Sequence, residues 1–343
     1  MLLLYLLVAA QAFRSPTALP AVPTRSFAAT AGLDEASVDG KSFAGAVYKF
    51  VRPHTIRGTM LGALCGVTKA ITDTGAVFDW QLVPRAMVGV VALLSANALI
   101  VGINQIYDQD IDRVNKPFLP IAAGELSTRT AWALLGACGL AGPILCYAAF
   151  SPFIFKLYVL GTTLGVLYSV PPFDLKKRGP LVAGATIAVC RGFLLNFGVY
   201  YAALEALGQP FRWSPAVAFI SRFMTVFAAV IAVTKDLPDV EGDAKFKVQT
   251  FATRLGPNLV VKAATAVLLL NYASAVAQAA LFSSSFRRPA LMLGAHLALA
   301  AALLNNFRLY AKLKATDLTS ALKRFYKKIW DLFYLEYALY VFI

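Results

Sequence analysis

Residues 104–113 read NQIYDQDIDR, and they lie where a long apolar run at 85–107 comes to an end. Asn104, Asp108 and Asp112 stand four residues apart, so on a continuing helix their side chains share one face. Three oxygen donors on one face suit Mg²⁺, which prefers hard oxygen ligands and completes its shell with water and substrate phosphates. The stretch therefore predicts part of a metal site at the end of an apolar helix.

A second acidic stretch, residues 235–243, reads KDLPDVEGD. Asp239 and Asp243 again stand four residues apart, with Asp236 about one turn earlier. A proline and a glycine within the stretch argue against a long regular helix there. Carboxylates at this density repel one another and raise each other's pKa, and a divalent cation would remove that repulsion. A pair of solvated acidic loops is the alternative.

The composition around these stretches is that of a membrane protein. Hydrophobic residues make up 59% of the 343, charged residues 15%, and the mean hydropathy is +0.65. A soluble domain averages nearer half apolar and a quarter charged. We therefore expect an all-α integral membrane protein, because helices satisfy their own backbone groups in lipid. About nine apolar stretches are expected to span the bilayer: 55–72, 85–107, 131–150, 152–170, 181–204, 215–235, 257–282, 289–310 and 325–343.

Most of the positive charge lies in the loops between these stretches. The net charge is +14, and most Lys and Arg residues fall in the second, fourth, sixth and eighth connections. Positive loops stay on the side from which charge is not translocated, here the stromal side. Both acidic stretches lie in this set of connections, so both face one side. The same distribution argues against nucleic acid as a partner.

The N-terminal 40 residues are predicted to be a targeting presequence. Residues 2–10, LLLYLLVAA, form an apolar core too short to span a bilayer. The next stretch is rich in Ala, Ser, Thr and Pro, which is typical of a transit peptide. The junction Ala10-Gln-Ala-Phe13 resembles the bipartite presequences of algae with complex plastids, and an ordinary secretory signal is the alternative. Residues 41–343 would then form one transmembrane domain in a plastid membrane, the inner envelope or the thylakoid.

Acidic clusters flanked by basic residues are what the ionisation of a diphosphate requires. The leaving group is a polyanion, and bound metal together with Lys and Arg neutralises its growing charge. The allylic cation that remains needs an electron-rich acceptor and a dry cavity. A bundle embedded in lipid supplies that cavity and accommodates a long isoprenoid tail.

At these residues the chain resembles the UbiA-type intramembrane aromatic prenyltransferases, and within them the plastid homogentisate prenyltransferase branch. The resemblance runs from about residue 50 to residue 343. It rests on RPHTIRGT at 52–59, NQIYDQDIDRVNKPFLPIAAGELS at 104–127, KDLPDVEGD at 235–243 and IWDLFYLEY at 329–337. The second of these motifs is the most specific.

The resemblance implies a nine-helix bundle around a central cavity that binds two magnesium ions. The implied metal ligands are Asn104, Asp108, Asp112, Asp236, Asp239 and Asp243. The implied catalytic carboxylates are Asp108, Asp112, Asp239 and Asp243. The implied substrate-binding side chains are Arg52, His54, Lys116, Tyr168, Lys176, Lys177 and Lys235. Of these, Lys176 and Lys177 match the family's diphosphate-gripping loop, whereas Arg52, Lys116 and Lys235 are equally explained as loop cations that set the topology.

The resemblance also implies the substrates. They are a polyprenyl diphosphate and homogentisate, which loses CO₂ to give a methyl-prenyl quinol, with membrane lipid as the surroundings. Residues 191–201, RGFLLNFGVYY, resemble the solanesyl-transferring members more than the phytyl-transferring ones, which indicates plastoquinone rather than tocopherol synthesis. The sequence leaves the oligomeric state open.

Several alternatives remain open at this stage. A homogentisate phytyl or geranylgeranyl transferase is the main alternative, and chlorophyll synthase and a haem-type farnesyltransferase share the fold. The run Asn115–Pro120 favours the homogentisate branch. A secondary transporter would carry ionisable residues near mid-span, where only Arg222 is a clear example, and a purely structural membrane protein would not need so many ligands on one side.

The remaining polar side chains within the apolar runs have structural interpretations. His296 is expected to be buried and hydrogen-bonded. Arg222 is expected at a cavity mouth or a helix interface. The four cysteines, Cys65, Cys138, Cys146 and Cys190, are expected to act as small hydrophobic residues, since no CxxC pair is present.

Overall fold

A computed structural model describes residues 42–76, 80, 82–245 and 249–343. The predicted presequence, and with it the position of the boundary at residue 40, lies outside these ranges. The described residues are helical and contain no strand. The first seven helices are α1 (Phe43–Phe50), α2 (Pro53–Thr74), α3 (Leu82–Tyr107), α4 (Gln109–Asn115), α5 (Thr128–Ala149), α6 (Pro152–Leu167) and α7 (Pro180–Ala206). The other six are α8 (Pro215–Thr234), α9 (Val240–Lys245), α10 (Phe251–Leu255), α11 (Pro257–Leu281), α12 (Pro289–Leu313) and α13 (Leu318–Tyr340).

Each of the nine predicted spans coincides with one long helix, so the predicted all-α membrane bundle is confirmed. Within the described ranges, six helices are long and apolar enough to cross a bilayer: α3, α5, α7, α8, α11 and α12. Helix α6 is apolar but has only 16 residues. Helices α2 and α13 carry more polar residues and complete the bundle between the apolar helices.

The helices begin at residues whose local chemistry favours a helix start. Six of the nine long helices begin with proline at the first helical position, where its missing N–H costs nothing. The break between α5 and α6 falls at Ser151-Pro152, as predicted. Side chains also cap helix starts: Ser127, Ser214 and Asp317 each accept a hydrogen bond from a backbone N–H in the first turn that follows.

The two halves of the bundle are filled differently. In the C-terminal half, buried aromatic rings of α8, α11 and α13 pack around one point, with Phe223 against Phe227 and Tyr272, and Phe227 against Phe333. In the N-terminal half, a cavity of about 360 Å³ lies between α2, α3, α6 and α7. The central cavity of the prediction is therefore offset toward the first half of the chain.

His296 and Arg222 take the structural roles predicted for them. His296 is fully buried, its Nδ1 lies 2.6 Å from the carbonyl oxygen of Met292, and its Nε2 lies 3.0 Å from Oε1 of Glu336. Arg222 lies at a helix interface on the outside of α8, where it donates to Ser274 Oγ on α11 at 3.0 Å. Neither side chain lines the cavity.

Helix α7 contains a π-helical segment, Ala188–Leu194. The Asn196 side-chain amide donates to the Gly192 carbonyl oxygen at 2.6 Å and so satisfies an acceptor within the segment. Gly192 faces α8 at very short range, because a Cβ built there would clash with the Cα of Thr225. The segment thus packs backbone to backbone against α8.

We expect Gly192→Ala to lower the thermal unfolding midpoint of the detergent-purified protein. The added methyl group would meet backbone rather than a movable side chain, and overpacking of this kind costs about 1–3 kcal/mol. Gly294→Ala is the matched control, since a Cβ there has nothing within 4 Å. Equal midpoints for the two variants would contradict the close contact between α7 and α8.

Candidate active site at the acidic loops

The first acidic motif keeps helical register across a break in the chain. Helix α3 ends at Tyr107 and α4 begins at Gln109. The backbone N–H of Asp108 still donates to the Asn104 carbonyl at 3.0 Å, and that of Asp112 donates to the Asp108 carbonyl at 2.8 Å. Asn104, Asp108 and Asp112 therefore lie along one face, as their spacing indicates. Asp110 points away, is exposed and pairs with Arg113 at 3.0 Å.

Asp112 is the most deeply buried carboxylate of this motif, with 5% of its surface exposed. Burial raises the pKa of Asp112 to about 6, and the nearby charge of Asp108 raises it too, whereas Lys116 lowers it. The Lys116 ammonium lies 3.9 Å from Asp112 Oδ1. The Asn104 amide donates to Ser169 Oγ at 3.0 Å, so the loop after α6 contacts the motif directly.

That loop, residues 168–179, places one of two adjacent lysines in the site. Lys176 donates to Asp108 Oδ1 at 2.6 Å, and both side chains are mostly buried. Lys177 is exposed and pairs with Asp174 at 2.7 Å. The left-handed backbone of Asp174 (φ 38°) turns the chain just before the two lysines. The structure thus brings Lys176, but not Lys177, to the acidic loops.

The second acidic motif forms a turn followed by the short helix α9. The Asp239 N–H donates to the Asp236 carbonyl at 3.3 Å, and the Asp243 N–H donates to the Asp239 carbonyl at 2.9 Å. Burial raises the pKa of all three carboxyls, that of Asp243 to about 6, where Asp236 and Asp239 add repulsion. These carboxylates lack enough nearby positive charge to offset their burial.

Lys116 and Tyr168 show that the two motifs face each other. Lys116 belongs to the loop after α4, yet its charge lowers the pKa of Asp236 and Asp239 on the opposite loop. Burial raises the pKa of the Tyr168 hydroxyl, and both Asp236 and Asp108 contribute to that rise. Lys235 lies in the same space, where its charge lowers the pKa of Tyr168 and Asp236. The acidic loops therefore share one side of the bundle, as the charge distribution predicts.

Arg52 and His54 stand at the start of α2. Arg52 has a left-handed backbone (φ 54°), and its Nε is buried without a hydrogen-bond partner among the described residues. Its charge lowers the pKa of Asp112 and of Lys116, so Arg52 borders the first motif. His54 lies in the first turn of α2, and its side chain lies outside the described part of the structure.

The cavity begins beneath this site. Tyr168 lines it, so the cavity and the acidic loops have a side chain in common. Its lining on α3 runs from Leu82 to Ile100, which at ~1.5 Å per residue is about 27 Å. The lining is almost entirely apolar, and Arg191 is its one charged residue. Arg191 and Ser169 are not among the site residues predicted from the sequence. The signal for Arg191 was an arginine within an apolar run.

The carboxylates of the described residues do not form a ready metal cluster. Within 42–76, 80, 82–245 and 249–343, no three His, Cys, Asp or Glu side chains converge on one point. The carboxylate oxygens of the two motifs instead face each other across a gap. Mg²⁺ suits such an arrangement because it commonly takes one or two carboxylates and completes its shell with phosphate oxygens and water.

Comparison with known proteins agrees with this geometry. The sequence profile of the UbiA prenyltransferase family matches residues 43–330. The chain belongs to this family. It is 50% identical over 293 residues to a probable homogentisate phytyltransferase 2, chloroplastic, of Oryza sativa subsp. japonica, covering 85% of this chain and 76% of that protein. It is equally 50% identical over 301 residues to the chloroplastic homogentisate solanesyltransferase of Arabidopsis thaliana, covering 88% and 77%.

A solved structure shows the same fold. A UbiA homolog from Archaeoglobus fulgidus, bound to GPP and Mg²⁺, superposes with a TM-score of 0.55 at 20% identity over 86% of this chain and 99% of that one. The predicted UbiA family and its homogentisate prenyltransferase branch are confirmed by these relatives.

Comparing Lys176→Ala with Lys177→Ala tests which of the two lysines contributes to prenyl transfer. We expect Lys176→Ala to lower prenyl transfer by roughly a hundredfold, the loss typical of removing one preorganised electrostatic contact. Lys177→Ala should stay near the wild-type rate, because that side chain is exposed and pairs with Asp174. The measurement is product formation in membranes at matched protein levels. Equal losses in the two variants would contradict the placement of the loop.

Proposed function

We propose that this enzyme transfers a polyprenyl group, solanesyl in our assignment, from its diphosphate to homogentisate. The product would be 2-methyl-6-polyprenyl-1,4-benzoquinol, a plastoquinone precursor. The observation that carries the proposal is the pair of facing acidic loops, with Lys116 and Lys176 among them, at one end of an apolar cavity. Relatives named as chloroplastic homogentisate prenyltransferases support the acceptor and a multi-pass position in a plastid membrane.

We assign the metal ligands to Asn104, Asp108 and Asp112 on one loop and Asp236, Asp239 and Asp243 on the other. Their chemistry fits magnesium, since they are hard oxygen donors and burial raises the pKa of several of their carboxyls. When bound, Mg²⁺ would neutralise the diphosphate as it leaves. Lys176 would hold a phosphate oxygen from the side of the α6–α7 loop, with Lys116, Lys235 and Arg52 adding positive charge.

The reaction balances without an oxidant or a reductant. The bond between the allylic carbon and the diphosphate oxygen breaks, and its electron pair leaves with the diphosphate. A ring carbon of homogentisate forms the new C–C bond and loses its proton. The carboxymethyl group releases CO₂ and takes up a proton, which leaves a methyl group. The apolar cavity wall protects the allylic cation from water.

The choice of donor rests on helix α7. Residues 191–201, which resemble solanesyl-transferring members, lie on α7 and contribute Arg191, Leu194, Leu195, Gly198 and Val199 to the cavity lining. The α3 side of this cavity, about 27 Å long, would lie along part of a long polyprenyl tail. A phytyl or geranylgeranyl donor is the alternative, since the two relatives of equal identity carry different donor names.

Removing a proposed metal ligand should abolish turnover without unfolding the protein. We expect Asp108→Ala and Asp239→Ala to lose at least a hundredfold in rate, as is typical when one electrostatic contact to the leaving group is lost. Asp110→Ala is the control, because that carboxylate is exposed and pairs with Arg113. Activity should also require added Mg²⁺. Full activity in EDTA would refute the metal mechanism.

A donor panel tests the substrate assignment. Membranes containing the enzyme are incubated with ring-labelled homogentisate and, in turn, solanesyl, geranylgeranyl and phytyl diphosphate. We expect the solanesyl product to form fastest, and carboxyl-labelled homogentisate to release CO₂ in equal amount. Faster formation of the phytyl product would instead assign the enzyme to tocopherol synthesis. No product with any donor would reject homogentisate as acceptor.

A further inference from the structure

Arg191 is a charged side chain in the wall of an otherwise apolar cavity. It lies in the middle of the π-helical segment of α7 and is only partly accessible. Among the residues that the structure describes, no ion pair joins Arg191 to a carboxylate, and its ionisable neighbours include Arg52, Cys190 and Tyr337. A cation inside a membrane protein is costly unless it has a partner, so such a residue indicates a ligand.

Five other polar side chains of the cavity wall are already hydrogen-bonded to the protein. They donate within their own helices or to a neighbouring one: Thr59 to the Thr55 carbonyl, Asn97 to Thr55 Oγ1, Tyr158 to the Ala92 carbonyl, Thr162 to the Tyr158 carbonyl and Thr186 to the Val182 carbonyl. The guanidinium of Arg191 therefore differs from the rest of the wall in charge, and from these five side chains in pairing. It can bind an anion in a fixed, two-pronged geometry.

The depth of Arg191 matches an acceptor rather than a diphosphate. Its Nη1 lies 3.7 Å from a Cβ built on Gly58, which is five residues into α2, about 8 Å below the helix start at ~1.5 Å per residue. Arg52 lies near both Arg191 and the first acidic motif, since its charge acts on Arg191 and on Asp112. An isoprenoid tail carries no charge for Arg191 to bind. The remaining anion in the proposed reaction is the carboxylate of the aromatic acceptor.

We propose that Arg191 binds the carboxylate of the acceptor and so orients its ring toward the allylic carbon. This makes Arg191 the residue that selects an arylacetic acid over an uncharged phenol. The inference rests on the proposed function, because it places the acceptor in the same cavity. Gly58 leaves space beside the guanidinium, and the π-helical segment holds Arg191 toward the cavity while Gly192 faces α8.

The test compares Arg191→Met with Arg222→Met, because Arg222 is a second arginine within an apolar helix and lies outside the cavity. Steady-state kinetics are measured with homogentisate and with 2-methylbenzene-1,4-diol, which lacks the carboxylate. We expect Arg191→Met to raise KM for homogentisate about ten- to a hundredfold, the effect of losing a charged hydrogen bond. KM for the prenyl diphosphate should not change, and the preference for homogentisate over the uncharged diol should disappear. Arg222→Met should keep the wild-type preference.

Three results would overturn the inference. The first is an unchanged KM for homogentisate in Arg191→Met. The second is an equal loss of activity with homogentisate and with the uncharged diol. The third is a rise in KM for the prenyl diphosphate instead. If Arg191→Met does not fold, the binding of homogentisate and of its methyl ester is compared in the wild-type enzyme and in Arg191→Lys. The inference requires the wild type to bind the ester at least tenfold more weakly and Arg191→Lys to retain part of that difference. An inactive wild type with homogentisate would reject the proposed function itself, which distinguishes the two failures.

Discussion

The site depends on the balance between buried carboxylates and the few cations that reach them. Asp112, Asp236, Asp239 and Asp243 are held at the membrane boundary with raised pKa values, since burial favours the uncharged acid. Lys176 reaches Asp108 directly, and Lys116 acts on both loops. A site of this kind retains a high affinity for positive charge, because its own lysines offset only part of the negative charge. The same lysines remain available for the phosphate oxygens that accompany a metal.

The bundle divides structural and chemical roles between its halves. The C-terminal half is filled by aromatic rings around the buried His296–Glu336 pair, which joins α12 to α13. The N-terminal half leaves a cavity between four helices. The acidic loops follow α3 in the first half and α8 in the second, so the filled half supplies one wall of the site. A cavity in both halves would leave the second loop without that support.

Much of this architecture follows from the sequence because lipid imposes simple rules. Hydropathy and charge locate the nine long helices, the proline at residue 152 separates α5 from α6, and the spacing of Asn104, Asp108 and Asp112 places them on one face. Other features depend on three-dimensional packing. A buried apolar residue has the same sequence pattern whether it fills a core or lines a cavity. Two adjacent lysines look alike until the left-handed turn at Asp174 directs one of them inward. The π-helical segment has no sequence pattern of its own, since it depends on Asn196 and on the contact between Gly192 and Thr225.

The π-helical segment also determines how α7 should be compared between relatives. A π-turn holds one more residue than an α-turn, so every later residue of the helix is rotated by about 100° from its α-helical position. A relative that lacks the segment would match this chain only with a one-residue gap in α7. Without that gap, an alignment would pair cavity residues such as Leu194 and Leu195 with residues on another face. Loss of a single residue here would therefore redirect half of α7 while leaving its composition almost unchanged.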